Sequence, residues 1–186
     1  MSALKSRKAR AILAGGVVLG VGASMTLAAW SDSEWASGTF GTGGFTFQGS
    51  LDGDTFSDHA TQDTAATLNF TLDATDLTPG TSVEATYWVK ATGENANVVI
   101  KPARISANAD EELVDALRVE FYNGAECTGN AIGTGALEDT EVTTPRTAVD
   151  GVALATCIRV TLDEGFTTDT ETSTGAVAWE FAATTA

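Results

Sequence analysis

In Val83-Glu84-Ala85-Thr86-Tyr87-Trp88-Val89, apolar and polar side chains alternate. Successive side chains of an extended chain point to opposite faces, so Val83, Ala85, Tyr87 and Val89 form one row. The same period recurs at Leu68, Phe70 and Leu72, at Leu117, Val119 and Phe121, and at Ile158, Val160 and Leu162. It appears once more at Val177, Trp179 and Phe181. Five such runs, separated by polar and Gly-rich turns, predict an all-β fold, an antiparallel β-sandwich. Trp88 has the opposite parity from Tyr87 and Val89, which puts it on an outer face. There it is either a contact residue or a partly covered surface aromatic.

Between the runs the chain carries its punctuation. Leu77-Thr78-Pro79-Gly80 is a turn signal, because Pro fixes φ at one corner and Gly accepts positive φ at the next. Gly41-Thr42-Gly43-Gly44 reads as a joint before a Phe45-Thr46-Phe47 strand. Residues 110–117 predict one short helix, with Asn108 as cap and Glu111 and Glu112 at the positive end of its dipole. Residues 138–151 are polar and read as a loop.

The first ten residues carry Lys5, Arg7, Lys8 and Arg10 and no acid, and residues 11–29 carry no charge. A basic start, an apolar stretch and small residues at its end make up a secretory signal peptide. The alternative is an uncleaved membrane anchor. Gly15, Gly16, Gly20 and Gly22 weigh against that, since they weaken a helix. Thr26-Leu27-Ala28 places small residues where a signal peptidase needs them, so cleavage is expected between Ala28 and Ala29. The chain then divides into a signal peptide (1–28), an N-terminal interaction segment and first strand (29–47), and a β-sandwich domain (48–186).

The whole chain has a formal charge of −15. Cleavage removes four of ten basic residues and no acid, leaving six against 25, or −19. Such a surface repels nucleic acid and anionic membranes, so neither is expected as a partner of the mature domain. Cys127 and Cys157 are the two cysteines. In an exported domain such a pair predicts a disulfide rather than a metal site, closing a ring of about 30 residues worth roughly 3.5 kcal/mol.

Signs of catalysis are few. His59 is the single histidine, and the His-Glu-x-x-His zinc motif is absent, so no catalytic residue, metal or cofactor is assigned. Ser57-Asp58-His59 contains the residue types of a serine triad, but as neighbours in a polar stretch that reads as a solvated loop. Asp52, Asp54 and Asp58 gather carboxylates without the full calcium-loop spacing or its distal Glu.

Residues 29–40 lack alternation yet hold Trp30, Trp35 and Phe40, and Phe45 and Phe47 follow. Aromatics on such a leader mark an interaction segment, able to add as a strand to another subunit's sheet or to fold back onto its own domain. Thr26-Leu27-Ala28-Ala29-Trp30-Ser31-Asp32, with Ala36-Ser37-Gly38-Thr39-Phe40, resembles the export signal and mature start of the TasA/camelysin proteins. Leu77-Thr78-Pro79-Gly80, the helix-into-strand passage over residues 112–121, and the aromatic strand around Trp179 and Phe181 are similar to that family as well.

The resemblance implies a jelly-roll sandwich and processing by a signal peptidase of the SipW type in a Gram-positive bacterium. It also implies secretion into a biofilm matrix, with a donor strand lying within residues 29–47. The partners it implies are further copies of the chain or related matrix proteins. A monomeric extracellular module binding cell-wall glycan or a protein is the alternative. Some family members were described as metallopeptidases, an activity to which the single histidine gives no support.

Overall fold

The computed structural model describes residues 31–33, 44–71, 77–168 and 172–186. The expected export signal and its cleavage point at Ala28 and Ala29 lie outside these residues, as do Trp30, Trp35, Phe40 and Leu72. Among the described residues no helix is long and apolar enough to cross a membrane.

Three of the five alternating runs, from Val83, Leu117 and Ile158, become strand as expected. The chain runs β1 (Ser31–Ser33), β2 (Thr46–Ser50), β3 (Ser82–Thr92), β4 (Ala96–Ile100) and β5 (Arg104–Ile105). A helix, α1 (Glu111–Ala116), leads directly into β6 (Leu117–Asn123). The rest is β7 (Gly133–Ala136), β8 (Val142–Ala148), β9 (Leu154–Leu162), β10 (Val177–Ala178) and β11 (Phe181–Thr185). One sheet has the order β2-β3-β9-β6-β7 and a second β1-β11-β4-β8, with β10 and β5 forming a small ribbon. Every pairing given for them is antiparallel. The all-β sandwich is therefore present.

The inner row of the five-stranded sheet is the one read from sequence. Val83, Tyr87, Val89, Leu117, Val119, Phe121, Ile158, Val160 and Leu162 are all buried in one cluster with Val98, Ile100 and Phe181. The second sheet crosses this face rather than running along it. Val142 of β8 lies against Gly133 of β7, Arg146 reaches Asn123 of β6 and Thr156 of β9, and Gly151, just past β8, bonds Ala91 of β3. β8 thus spans the ends of four strands in turn, and β4 and β11 follow it inward, with Tyr87 and Phe181 in ring contact at 5.1 Å. Crossed sheets leave the far end of the larger sheet beyond the reach of the smaller one.

Four local expectations are corrected. Residues 138–151 hold strand β8, whose polar middle hid it. Pro145 is tolerated because β8 is an edge strand, and its ladder with β4 shifts register between Val98 and Ile100. The run Val177 to Phe181 is two strands in different sheets, broken at Trp179-Glu180, where the chain turns the corner between them. Leu68 and Phe70 pack against the core without a regular strand, and Thr71 makes a backbone bond of 2.8 Å to Glu84. The helix cap is Asp110, not Asn108, since its side chain accepts the N–H of Leu113 at 3.0 Å.

The turn before β3 forms as read. Thr81 N–H donates to Thr78 C=O at 2.9 Å around Pro79 and Gly80, whose φ is +80°. Cys127 and Cys157 form the disulfide, tying the loop after β6 to β9 around a ring that contains β7 and β8.

Candidate functional site

Where the smaller sheet stops, the larger one still presents Val83, Leu117, Val160 and Leu162. These form the floor of an open apolar cleft of about 1510 Å³. Its walls are Leu113 of α1, Val177 of β10, Trp179, Phe181 of β11, Phe166, and the stretch with Leu68 and Phe70. Trp179 stands edge-on to Phe121 at 6.3 Å, and its buried indole N–H has no partner among the described residues. Stepping from β8 through β4 to β11 moves toward this cleft. The free side of β11 therefore faces the direction in which the cleft opens.

That side of β11 is taken by β1. Ser31, Asp32 and Ser33 stand opposite Thr184, Ala183 and Ala182, whereas β4 pairs with all of Phe181 to Thr185. Over these three residues the chain pairs within its own domain, one of the two alternatives left open for the N-terminal segment. The aromatics assigned to self-association separate into two groups. Phe47 is buried in the chain's own core and Phe45 packs against it, both held by β2 and its approach to β3. Phe47 is thus enclosed in its own domain, while Phe45 is half-buried beside it.

Ser57 and His59 meet, which their reading as a solvated loop did not anticipate. His59 Nδ1 lies 2.8 Å from the Thr64 carbonyl, which can only accept, so Nδ1 carries the proton. Nε2 then accepts from the Ser57 hydroxyl at 3.1 Å. Asp58 takes no part. A backbone carbonyl lacks the negative charge with which a buried carboxylate stabilises imidazolium, and both side chains lie on an exposed loop.

Asp52 closes the turn after β2. Its Oδ1 accepts from Thr55 N–H at 2.8 Å, Asp54 N–H at 2.9 Å and Ser50 Oγ at 2.8 Å. These bonds, those from Thr55 and Asp54 first, hold its carboxyl down at about 2. Among the described residues, the one grouping of potential ligands close enough to share an ion is Glu84, Cys127 and Cys157, and both sulfurs are in the disulfide. Asp52, Asp54 and Asp58 do not form such a group.

The outer face of the larger sheet is tied by Arg159. Its guanidinium meets Glu84 at 2.7 Å and Glu120 at 3.5 Å, the two acids opposite it in the neighbouring strands. It also donates to Tyr122 Oη and to the carbonyl of Cys127. The hydrogen bond to Glu84 leads in raising its pKa above the ordinary arginine value. Trp88 shares this face, half-buried against Gly53. The alternation signalled both the Arg159 face and Trp88. Nothing in the local sequence signalled the cleft, which depends on how far the second sheet reaches.

No known family pattern matches the chain, and no curated protein matches it.

Proposed function

We propose that this chain is a secreted structural protein of the cell surface or extracellular matrix, which self-associates by strand addition through the segment before Gly44. The observation that carries this reading is the β11 edge. It is a five-residue strand whose outer side bears a partner of three residues, next to an apolar cleft. A strand of a second copy laid there gains main-chain hydrogen bonds from β11 and apolar contact from the cleft. The similarity of the N-terminal region to TasA/camelysin proteins supports the same mode, and the disulfide is compatible with an oxidising, extracellular setting.

Residues 29–186 and residues 44–186, which both keep β2, are compared by electron microscopy. Fibres are expected from the first and none from the second. Equal fibres from both refute strand addition by this segment.

The cleft also favours a second reading, a monomeric extracellular module. Its apolar volume and the unpartnered Trp179 N–H fit an apolar ligand or a protein side chain bearing one acceptor. A monomer in sedimentation at high concentration, without fibres, selects that reading.

A further inference from the structure

Resting on the strand-addition reading, we propose that β1 is a built-in stopper. By pairing with β11 in its own chain, it occupies the seat to which another copy's strand adds, and assembly waits for its release. β11 has two sides, and β4 fills one of them along all five residues. A strand can be added only on the other side, and there β1 already covers Ala182, Ala183 and Thr184. Two strands cannot share one row of backbone donors and acceptors.

The stopper is built to be displaced. Its residues are Ser31, Asp32 and Ser33, a polar sequence, and its described pairing with β11 is a ladder of three residues. The described ladder covers Ala182, Ala183 and Thr184, three of the five residues of β11. An incoming strand that pairs along the whole of β11 makes more bonds than these three residues do.

Against this, β1 has the advantage of its tether. Ten residues separate Ser33 from Gly44, and so short a connection presents its end at an effective concentration on the order of millimolar. At micromolar protein the internal strand holds the seat, and assembly shows a threshold and a lag.

The probe is a labelled peptide of residues 29–43, titrated by fluorescence anisotropy against residues 29–186. In one variant Ser31→Pro and Asp32→Pro are combined. Successive N–H groups of a strand alternate sides, so one of the two prolines removes a bond to β11 whatever the phase. In another, Ser33→Cys and the opposing Ala182→Cys lock β1 in place. Near-UV circular dichroism confirms that each variant keeps the native core.

The proline variant is expected to bind the peptide at least tenfold more tightly than the unaltered chain, and the locked variant not at all. Equal binding by the proline variant and the unaltered chain overturns the stopper and leaves strand addition standing. Binding by none of the three proteins overturns strand addition at this edge and the stopper with it.

Discussion

The four-stranded sheet ends in two edges of opposite construction. Along β8 the edge is shut. Pro145 has no N–H to offer, the ladder shifts register beside it, and Arg146 fastens the strand to β9 through a 2.6 Å bond to the buried Thr156 hydroxyl. Irregularity and proline are the devices by which sheets discourage pairing with a neighbour. Along β1 the edge has none of them. Its outermost strand is three residues long, polar, and joined to the rest of the chain by a segment that no disulfide encloses. One edge carries a proline, a register shift and a side-chain tie, and the other a short polar strand. On the strand-addition reading proposed above, association through this sheet would use the β1 side.

Three further measurements test how different these edges are. The largest effect is expected from removing the disulfide. Cys127→Ala with Cys157→Ala should cost about 3.5 kcal/mol, read from the urea unfolding midpoint, because the unfolded chain regains a ring of 30 residues. Since β7 and β8 lie inside that ring, amide exchange should rise there more than in β11. A uniform rise across both edges would erase the contrast.

Arg146→Ala comes next. Arg146 is largely withdrawn from water, which lowers its pKa to about 10, and its guanidinium supplies the Thr156 hydroxyl's partner. Stranding that hydroxyl should cost about 1–3 kcal/mol, with the binding of the 29–43 peptide to the opposite edge unchanged. A change in peptide binding would mean that the edges are coupled.

The smallest effect belongs to Asp52, which lies on neither edge. Its carboxyl is held at about 2 in the fold against 3.8 ordinarily, so in between the unfolded chain binds more protons than the folded one. Its contribution is complete above about pH 4 and fades as pH falls through 2. A carboxyl NMR titration should place its midpoint near 2, and Asp52→Asn should abolish this pH dependence without altering exchange at either edge. A midpoint at 3.8 would remove the basis for it.

Sequence reading succeeded where a single physical rule governs. Period two placed Val83 to Val89, Leu117 to Phe121 and Ile158 to Leu162 in the core because each of those runs lies in one sheet with one wet face. It failed at β8, where Thr143, Thr144 and Thr147 are exposed and just Val142 and Ala148 are buried. An edge strand needs few apolar residues, so it carries little signal. It failed again at Trp179, because parity cannot register that a strand leaves one sheet and joins another.

The site was less legible than the fold. Phe45 and Phe47 look like leader aromatics until β2 pairs with β3 and draws them inward. The Ser57–His59 contact depends on the Thr64 carbonyl five residues beyond the ring, and the cleft on the crossing of two sheets. The inward turn of the two Phe and the cleft are products of three-dimensional closure, which no window of neighbouring residues encodes.

β11 has one more consequence, for continuity. It is the last described strand in chain order, yet it sits second in its sheet, between the first strand and the fourth. In that sheet β11 is the link between β1 and β4, so the sheet is discontinuous until residues 181–185 are in place. A chain shortened before Phe181 would lose both neighbours' ladders at once.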